Sequence, residues 1–281
     1  MSERVRSVWD NVDRTADPHW YRNYLDAFNA METVRAWKAR AFDMLAVEPG
    51  HHLLDVGCGL GGDAMALAAR VGAGGRVVGV DNSAQLIVEA QGRGVASSLP
   101  VEFRVGDIYG LEFADAAFDG CRADRVFQHL DRPAGALAEL IRVTKPGGRI
   151  VVGDPDWETL IFDAPQTVVT RTILNFVCDS HRNAWMGRQL YAQFRAAGLA
   201  EVAVAADTLL FTDYGLADLT VALSTRVRQA QDAEIITEHE AAEWLDALAT
   251  AADAGRFFAA MTCFTVSGRK PEAHASVVAG L

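Results

Sequence analysis

A mostly parallel, doubly wound α/β sheet is the fold class that this 281-residue sequence predicts, and three features predict it. From residue 50 onward, short β-branched runs alternate with amphipathic helical stretches. Such alternation builds parallel βαβ units, because a strand returns parallel to its predecessor only through a crossover. The first run ends in a glycine-rich turn, with glycines at 57, 59, 61 and 62, and a helix follows. A long apolar run, 257–270, completes the pattern near the chain end.

Each element has its own signal. Residues 18–46 predict a helical N-terminal addition, because Trp20, Tyr21, Tyr24, Phe28, Met31, Val34, Trp37 and Phe42 recur at helical spacing. Strands are expected at 52–56, 76–80, 101–105, 118–123 and 149–153, each bounded by Gly, Pro, Asn or Asp. Helices are expected between them at 62–71, 84–93 and 134–144. The last has Pro133 near its first turn and Leu137, Leu140 and Ile141 on one face. After Asp154 the alternation stalls, and 155–186 reads as a helical insertion without a strand. Helix 187–197 and strand 200–212 resume it, 216–254 is helical again, and the tail after Pro271 reads as loose. The predicted segments are a helical lid or oligomerisation segment at 1–49, a core at 50–155, a cap at 156–199, a sheet-completing part at 200–270 and a tail at 271–281.

Composition excludes several functions. Lys and Arg number 26 against 37 Asp and Glu, a formal net charge of −11. Nucleic-acid binding needs a basic face to displace counterions from phosphates, and an anionic membrane surface also attracts basic residues. With 50% hydrophobic and 22% charged residues, whole-chain disorder is excluded. No stretch approaches the roughly 18 apolar residues of a membrane span, and the charged start lacks the apolar run of a signal peptide. Cys58, Cys121, Cys178 and Cys263 form no C-x-x-C pair, so no metal site is expected. The expectation is a reduced cytoplasmic protein with free thiols.

The glycine turn permits close backbone approach to a ligand, and Asp81 ends the next strand about 20 residues later, where a carboxylate accepts both ribose hydroxyls. Gly57, Gly59 and Gly62 also satisfy the dinucleotide pattern, which is weak alone and leaves a nicotinamide oxidoreductase open. Charge separates the two. A pyrophosphate wants a helix N-terminus without a nearby anion. Asp55, two residues before the first glycine, repels it and suits a cation such as an amino group.

From these residues the sequence resembles the class I S-adenosylmethionine-dependent methyltransferases, most closely over residues 50–155. VGVDN (78–82) resembles the family's ribose motif, with Asp81 as the acid and Asn82 beside it. VGDI (105–108) resembles its adenine motif, which implies that Asp107 accepts the exocyclic amine while Ile108 packs on the ring. FDGCRADRVFQHL (118–130) resembles the fourth-strand motif, whose exit lies at the methionine end and carries Ala123 and Arg125. KPGGRIVVGD (145–154) resembles the turn into strand five, and the final run resembles the family's antiparallel last strand. The resemblance implies a Rossmann-like sheet of seven strands, S-adenosylmethionine as cofactor, and cofactor contacts at Asp55, Gly57, Gly59, Gly61, Asp81, Asn82, Asp107, Ile108, Ala123 and Arg125.

Methyl transfer needs near-attack geometry, and a base only where the acceptor has a proton to lose. His129 and Asp154 are the catalytic candidates. His129 follows strand four with an unperturbed pKa near neutrality, though a packing histidine fits equally well there. Asp154 ends strand five, where ligands collect, though it is also a turn residue before Pro155. Arg125 orients a carboxylate or is simply solvated. Trp20, Tyr21, Phe28, Trp157, Phe162, Phe176 and Trp185 flank the motif core, where the resemblance places a lid over the acceptor; aromatic residues at helical spacing are also ordinary core. Tyr21 is the preferred lid residue. The expected activity is methylation, at carbon or oxygen, of a small hydrophobic acceptor in an aromatic pocket. A methyltransferase-fold cyclase or binding protein stays open. A homo-oligomer is expected if the N-terminal helices expose their apolar face.

Overall fold

The computed structural model describes Asp13 and residues 18–272, with residues 18–20 as backbone only. Two helices, α1 (Pro18–Ala30) and α2 (Glu32–Leu45), precede the sheet. The expected single helix is broken at Met31, whose ψ of 134° is extended and serves as the N-cap of α2. Helix α2 buries Val34, Trp37, Ala41, Phe42 and Leu45. Trp37 also donates its indole N–H to Thr265 Oγ1 at 2.7 Å. Each such large side chain taken fully from water contributes about 1.5–3 kcal/mol. The apolar face of α2 is therefore buried within the chain.

Strands β1 (His52–Val56), β2 (Arg76–Asp81), β3 (Val101–Val105), β4 (Phe118–Asp124) and β5 (Thr144–Pro155) lie parallel in the order 3-2-1-4-5. Helices α3 (Gly62–Val71), α4 (Ala84–Ser97) and α5 (Pro133–Val143) connect them. Reversal of the strand order between β1 and β4 opens a crevice at the carboxyl ends of these strands, where ligands collect in open α/β sheets.

The remaining half differs from expectation in detail. Among the described residues the sheet has eight strands rather than seven. The additional β6 (Ile161–Phe162) pairs with Ala260 and Ala259, beyond Cys263, where the pairing of β5 ends at Pro155. Two residues carry no periodicity, so the sequence shows no strand there. Helices α6 (Thr167–Asp179) and α7 (Met186–Ala196) follow, then β7 (Ala200–Phe211). The predicted helix 216–254 is three: α8 (Tyr214–Val221), α9 (Leu223–Asp232) and α10 (Glu238–Asp253). Ala222, at φ 51°, breaks the first from the second, and a Thr237/Glu240 capping box starts the third. Strand β8 (Ala259–Arg269) runs antiparallel between β5 and β7, as the last strand was expected to run. The described cysteines are free and buried, and no described helix is long and apolar enough to cross a membrane.

Candidate active site

A cavity of about 1100 Å³ opens at the carboxyl ends of the parallel strands. Ligand pockets commonly run about 300–1,000 Å³, so there is room for two small molecules side by side. Its first wall is the turn after β1. Gly57 sits at φ 74°, and a Cβ there would lie 2.2 Å from Val126 Cγ2, so only glycine fits. Gly57 and Gly59 line the cavity. Gly61 does not. It caps α3, and a Cβ on it would strike the Phe103 ring at 2.5 Å.

Asp81, Asn82, Asp107 and Ile108 continue this wall. Asp81 accepts the Gly59 N–H at 2.9 Å and the Ser83 N–H at 3.0 Å, one on each carboxylate oxygen. The carboxylate thus ties the glycine turn to the end of β2. Burial pushes its pKa up, against these hydrogen bonds. Asp107 accepts the Tyr109 N–H at 2.9 Å, a local turn that holds the next residue, Ile108, beside the cavity. Ala123, by contrast, is fully buried in the apolar cluster under α5 and does not reach the cavity. Its neighbour on the strand, Asp124, lines the cavity instead, because successive strand residues face opposite sides.

Asp55 also departs from expectation. It is 1% exposed and absent from the cavity lining. Its carboxylate meets Arg122 at 3.0 Å, and Arg122 also meets Asp63 at 2.9 Å and Asp124 at 3.5 Å. Burial pushes the Asp55 carboxyl up to about 7, so it does not offer a clean negative charge to a ligand. Asp63, in the first turn of α3, is held well below the usual range because Arg122 and Lys38 outweigh its burial. Lys38 of α2 lies 2.8 Å from it. A carboxylate held at the α3 N-terminus answers the helix dipole that a pyrophosphate would otherwise use. Asp63, like Asp55, is paired with a cation and lines no part of the cavity.

The segment after β4 forms the centre of the cavity. Arg125, at φ 56°, donates to Tyr24 Oη at 3.2 Å and lies 4.0 Å above the Phe28 ring. Asp154 is fully buried and lines no part of the cavity. It accepts the backbone N–H groups of Phe127 (3.2 Å) and Gln128 (3.3 Å), and so fixes the 3-10 turn Phe127–His129. Asp154 is thus a positioning residue rather than a catalytic one, and burial raises its pKa well above the ordinary value. His129 does line the cavity. Burial first, then His181 and nearby arginines, lower its pKa to about 3. The imidazole is neutral near pH 7, and the expectation of a base poised at neutrality is corrected.

Of the described aromatic candidates, Phe28 and Trp157 line the cavity. Trp157 stacks on His181 with centroids 3.8 Å apart and donates to Gln128 Oε1 at 2.8 Å. Tyr21 is 2% exposed within the apolar core, and Tyr24, one turn on, takes the cavity position. Phe162 packs edge-on to Trp244 and Phe257 in the same core. Phe176 packs against that core, and Trp185 is 47% exposed beneath Arg188. The side chain of Trp20 falls outside the described residues. Sequence reasoning missed Tyr24, His181, Val221, Arg226 and Met261, all of which line the cavity. Tyr24 and Phe28 share one face of α1 at i, i+4, which was a readable signal. Helices α8 and α9 gave none, because helical spacing does not say what a helix covers.

Comparison with known proteins fits this geometry. Residues 54–152 match the model of a methyltransferase domain. An uncharacterised 37.1 kDa protein from a transposon of Streptomyces fradiae is 40% identical over 246 residues, covering 87% of this chain and 70% of that protein. A 2-phytyl-1,4-naphthoquinone methyltransferase of Synechocystis is 37% identical over 132 residues, covering 46% of this chain and 56% of the enzyme. The chain thus spans little more than half the length of that relative. Among solved structures, a phosphoethanolamine N-methyltransferase of Haemonchus contortus in complex with S-adenosylmethionine has a TM-score of 0.61 at 17% identity, over 95% of this chain and 61% of that one. That likeness shows the fold. The chain thus carries a methyltransferase domain over residues 54–152, in a fold shared with a methyltransferase that binds S-adenosylmethionine.

Proposed function

We propose that this protein transfers the cofactor's methyl group to a small, largely apolar acceptor, at carbon or oxygen. The observation that carries this reading is the two-ended cavity. Gly57, Gly59, Asp81, Asn82, Asp107 and Ile108 line one end, and Phe28, Trp157, Leu209, Val221 and Met261 line apolar wall elsewhere. S-adenosylmethionine supplies a methyl group activated on a sulfonium. The residues at the first end fit such a group. Asp81 would hold the ribose hydroxyls with the lone pairs left by Gly59 and Ser83. Asp107 would meet the adenine amine and Ile108 its face. Asp81 and Asp107 line this end, and carboxylates suit a cationic ligand better than a phosphate.

The chain's own task is then orientation and exclusion of water. Arg125 and Tyr24 join the centre of the cavity to α1, and Asp154 locks the turn that carries His129. A neutral His129 offers the acceptor a hydrogen-bonding ring rather than a resting place for its proton. The Synechocystis relative acts on a naphthoquinone with a phytyl tail, which is an apolar acceptor of this class.

The test is incubation with labelled S-adenosylmethionine and reduced 2-phytyl-1,4-naphthoquinone, alongside shorter-tailed analogues. Label in the organic phase with matching release of S-adenosylhomocysteine is expected, and the product spectrum reads carbon or oxygen. Tight S-adenosylhomocysteine binding without transfer to any apolar acceptor would replace this reading with a cyclase or binding protein.

A further inference from the structure

We propose that Arg226 is the receptor for an anionic oxygen on the acceptor, so that the substrates are apolar molecules bearing a carboxylate or an ionised phenol or enol. This deepens the acceptor reading above and rests on it.

Among the described residues three arginines line the cavity: Arg125, Arg182 and Arg226. Two of them are answered. Arg125 has Asp124 at 3.5 Å, and Arg182 pairs with Asp131. Arg226, on α9, is different. Its recorded side-chain partner is the neutral Gln229 Oε1 at 3.2 Å, and among the described residues no carboxylate lies within ion-pair distance of it. It is half-buried, and burial alone lowers its pKa. A guanidinium drawn from water without a counter-charge is costly, and native proteins rarely keep one unless something answers it.

Its surroundings do not supply that answer. Val221 and Met261 are apolar. The Thr220 hydroxyl already donates to Leu216 O at 2.7 Å. His181 donates from Nδ1 to the Val177 carbonyl at 2.8 Å, which fixes its tautomer and leaves Nε2 as an acceptor. A positive group therefore sits in an otherwise apolar and neutral part of the wall. The planar guanidinium fork fits a carboxylate with two parallel hydrogen bonds and a phenolate or enolate with one or two. Binding there would fix which end of an amphipathic acceptor is buried.

The test uses isothermal titration with three probes of one ring system: 2-naphthoate, 2,4-dinitro-1-naphtholate and methyl 2-naphthoate. Titrations are run with and without S-adenosylhomocysteine. The expected result is that an anion binds at least about tenfold more tightly than the ester. Arg226→Gln should remove that preference, Arg226→Lys should keep part of it, and both should bind S-adenosylhomocysteine as the wild type does. Whichever anion binds more tightly identifies carboxylate or phenolate as the source. Equal binding of acid and ester, no binding of either anion, or a preference that survives in Arg226→Gln overturns the proposal. Failure to release S-adenosylhomocysteine with apolar acceptors would instead count against the methyl-transfer reading, and these titrations do not depend on turnover.

Discussion

The two ends of the cavity are built by different means. The cofactor end comes from the turns at the carboxyl ends of β1, β2 and β3: 57–59, 81–82 and 106–109. Each turn is a local structure with a local signature. The acceptor end is assembled from α1, the stretch after β5, α8, α9 and β8, which lie more than two hundred residues apart at the extremes. Its residues meet only because the helices pack on the sheet. Local rules therefore reach the first end and stop short of the second.

The sharpest way to break this contrast is at Arg122, which lies beneath the cofactor end and touches Asp55, Asp63 and Asp124. Arg122→Met leaves Asp55 without its cation, with Lys38 still on Asp63 and Arg125 on Asp124. Loss of about 3–5 kcal/mol of stability is expected in urea unfolding, with S-adenosylhomocysteine affinity falling too. A loss below about 1 kcal/mol would show that the cluster does not hold the loop. Next is Asp81→Ala. It removes an acceptor from Gly59 and Ser83, and a drop of about 100-fold in S-adenosylhomocysteine affinity by calorimetry is expected, at the upper range for charged hydrogen bonds.

Trp157→Leu asks the same of the other end. It loses the stack on His181 and the hydrogen bond to Gln128. Turnover should fall about tenfold while cofactor affinity is unchanged, since the cost is in orienting the acceptor. Parallel losses of both would mean that the two ends are one unit.

The smallest effect is in pH. His129 and His181 are each lowered to about 3. Unfolded histidine titrates near 6.5, so between those values the unfolded chain binds more protons and stability falls with pH. Melting temperature should therefore decline from pH 6.5 downward. Asp55, raised to about 7, works in the opposite direction over part of that range, because its folded form holds a proton. His129→Gln combined with His181→Gln should flatten the decline, and the wild-type kcat/KM should show no inflection near 6.5 from His129. Such an inflection, lost in His129→Gln, would restore His129 as a base.

Much of the fold was legible because its elements carry periodic signals. Strands β1 to β4, and the middle of β5, fall where β-branched runs stand, and helices α3 and α5 fall between them. What escaped was short or broken: β6 with two residues, the interruption at Met31, and the αL residue Ala222. In the site, motif residues such as Gly57, Asp81 and Asp107 do line the cavity, whereas Asp55, Gly61 and Ala123 sit behind it. A motif names a turn, but it does not say which of its side chains points outward. The aromatic candidates fared worse, because Tyr21 and Tyr24 share a helix and only packing separates them.

The sequence by itself determined the alternating α/β architecture, the glycine turn and its family, since each is written in contiguous residues and fixed by backbone geometry. Only the tertiary structure decided which charges are buried as partners and which face the cavity. It sent Asp55 to Arg122, turned Asp154 into the anchor of the 3-10 turn, and left Arg226 without a carboxylate among the described residues. Those outcomes depend on desolvation and on distances between residues far apart in the chain, which no local pattern encodes.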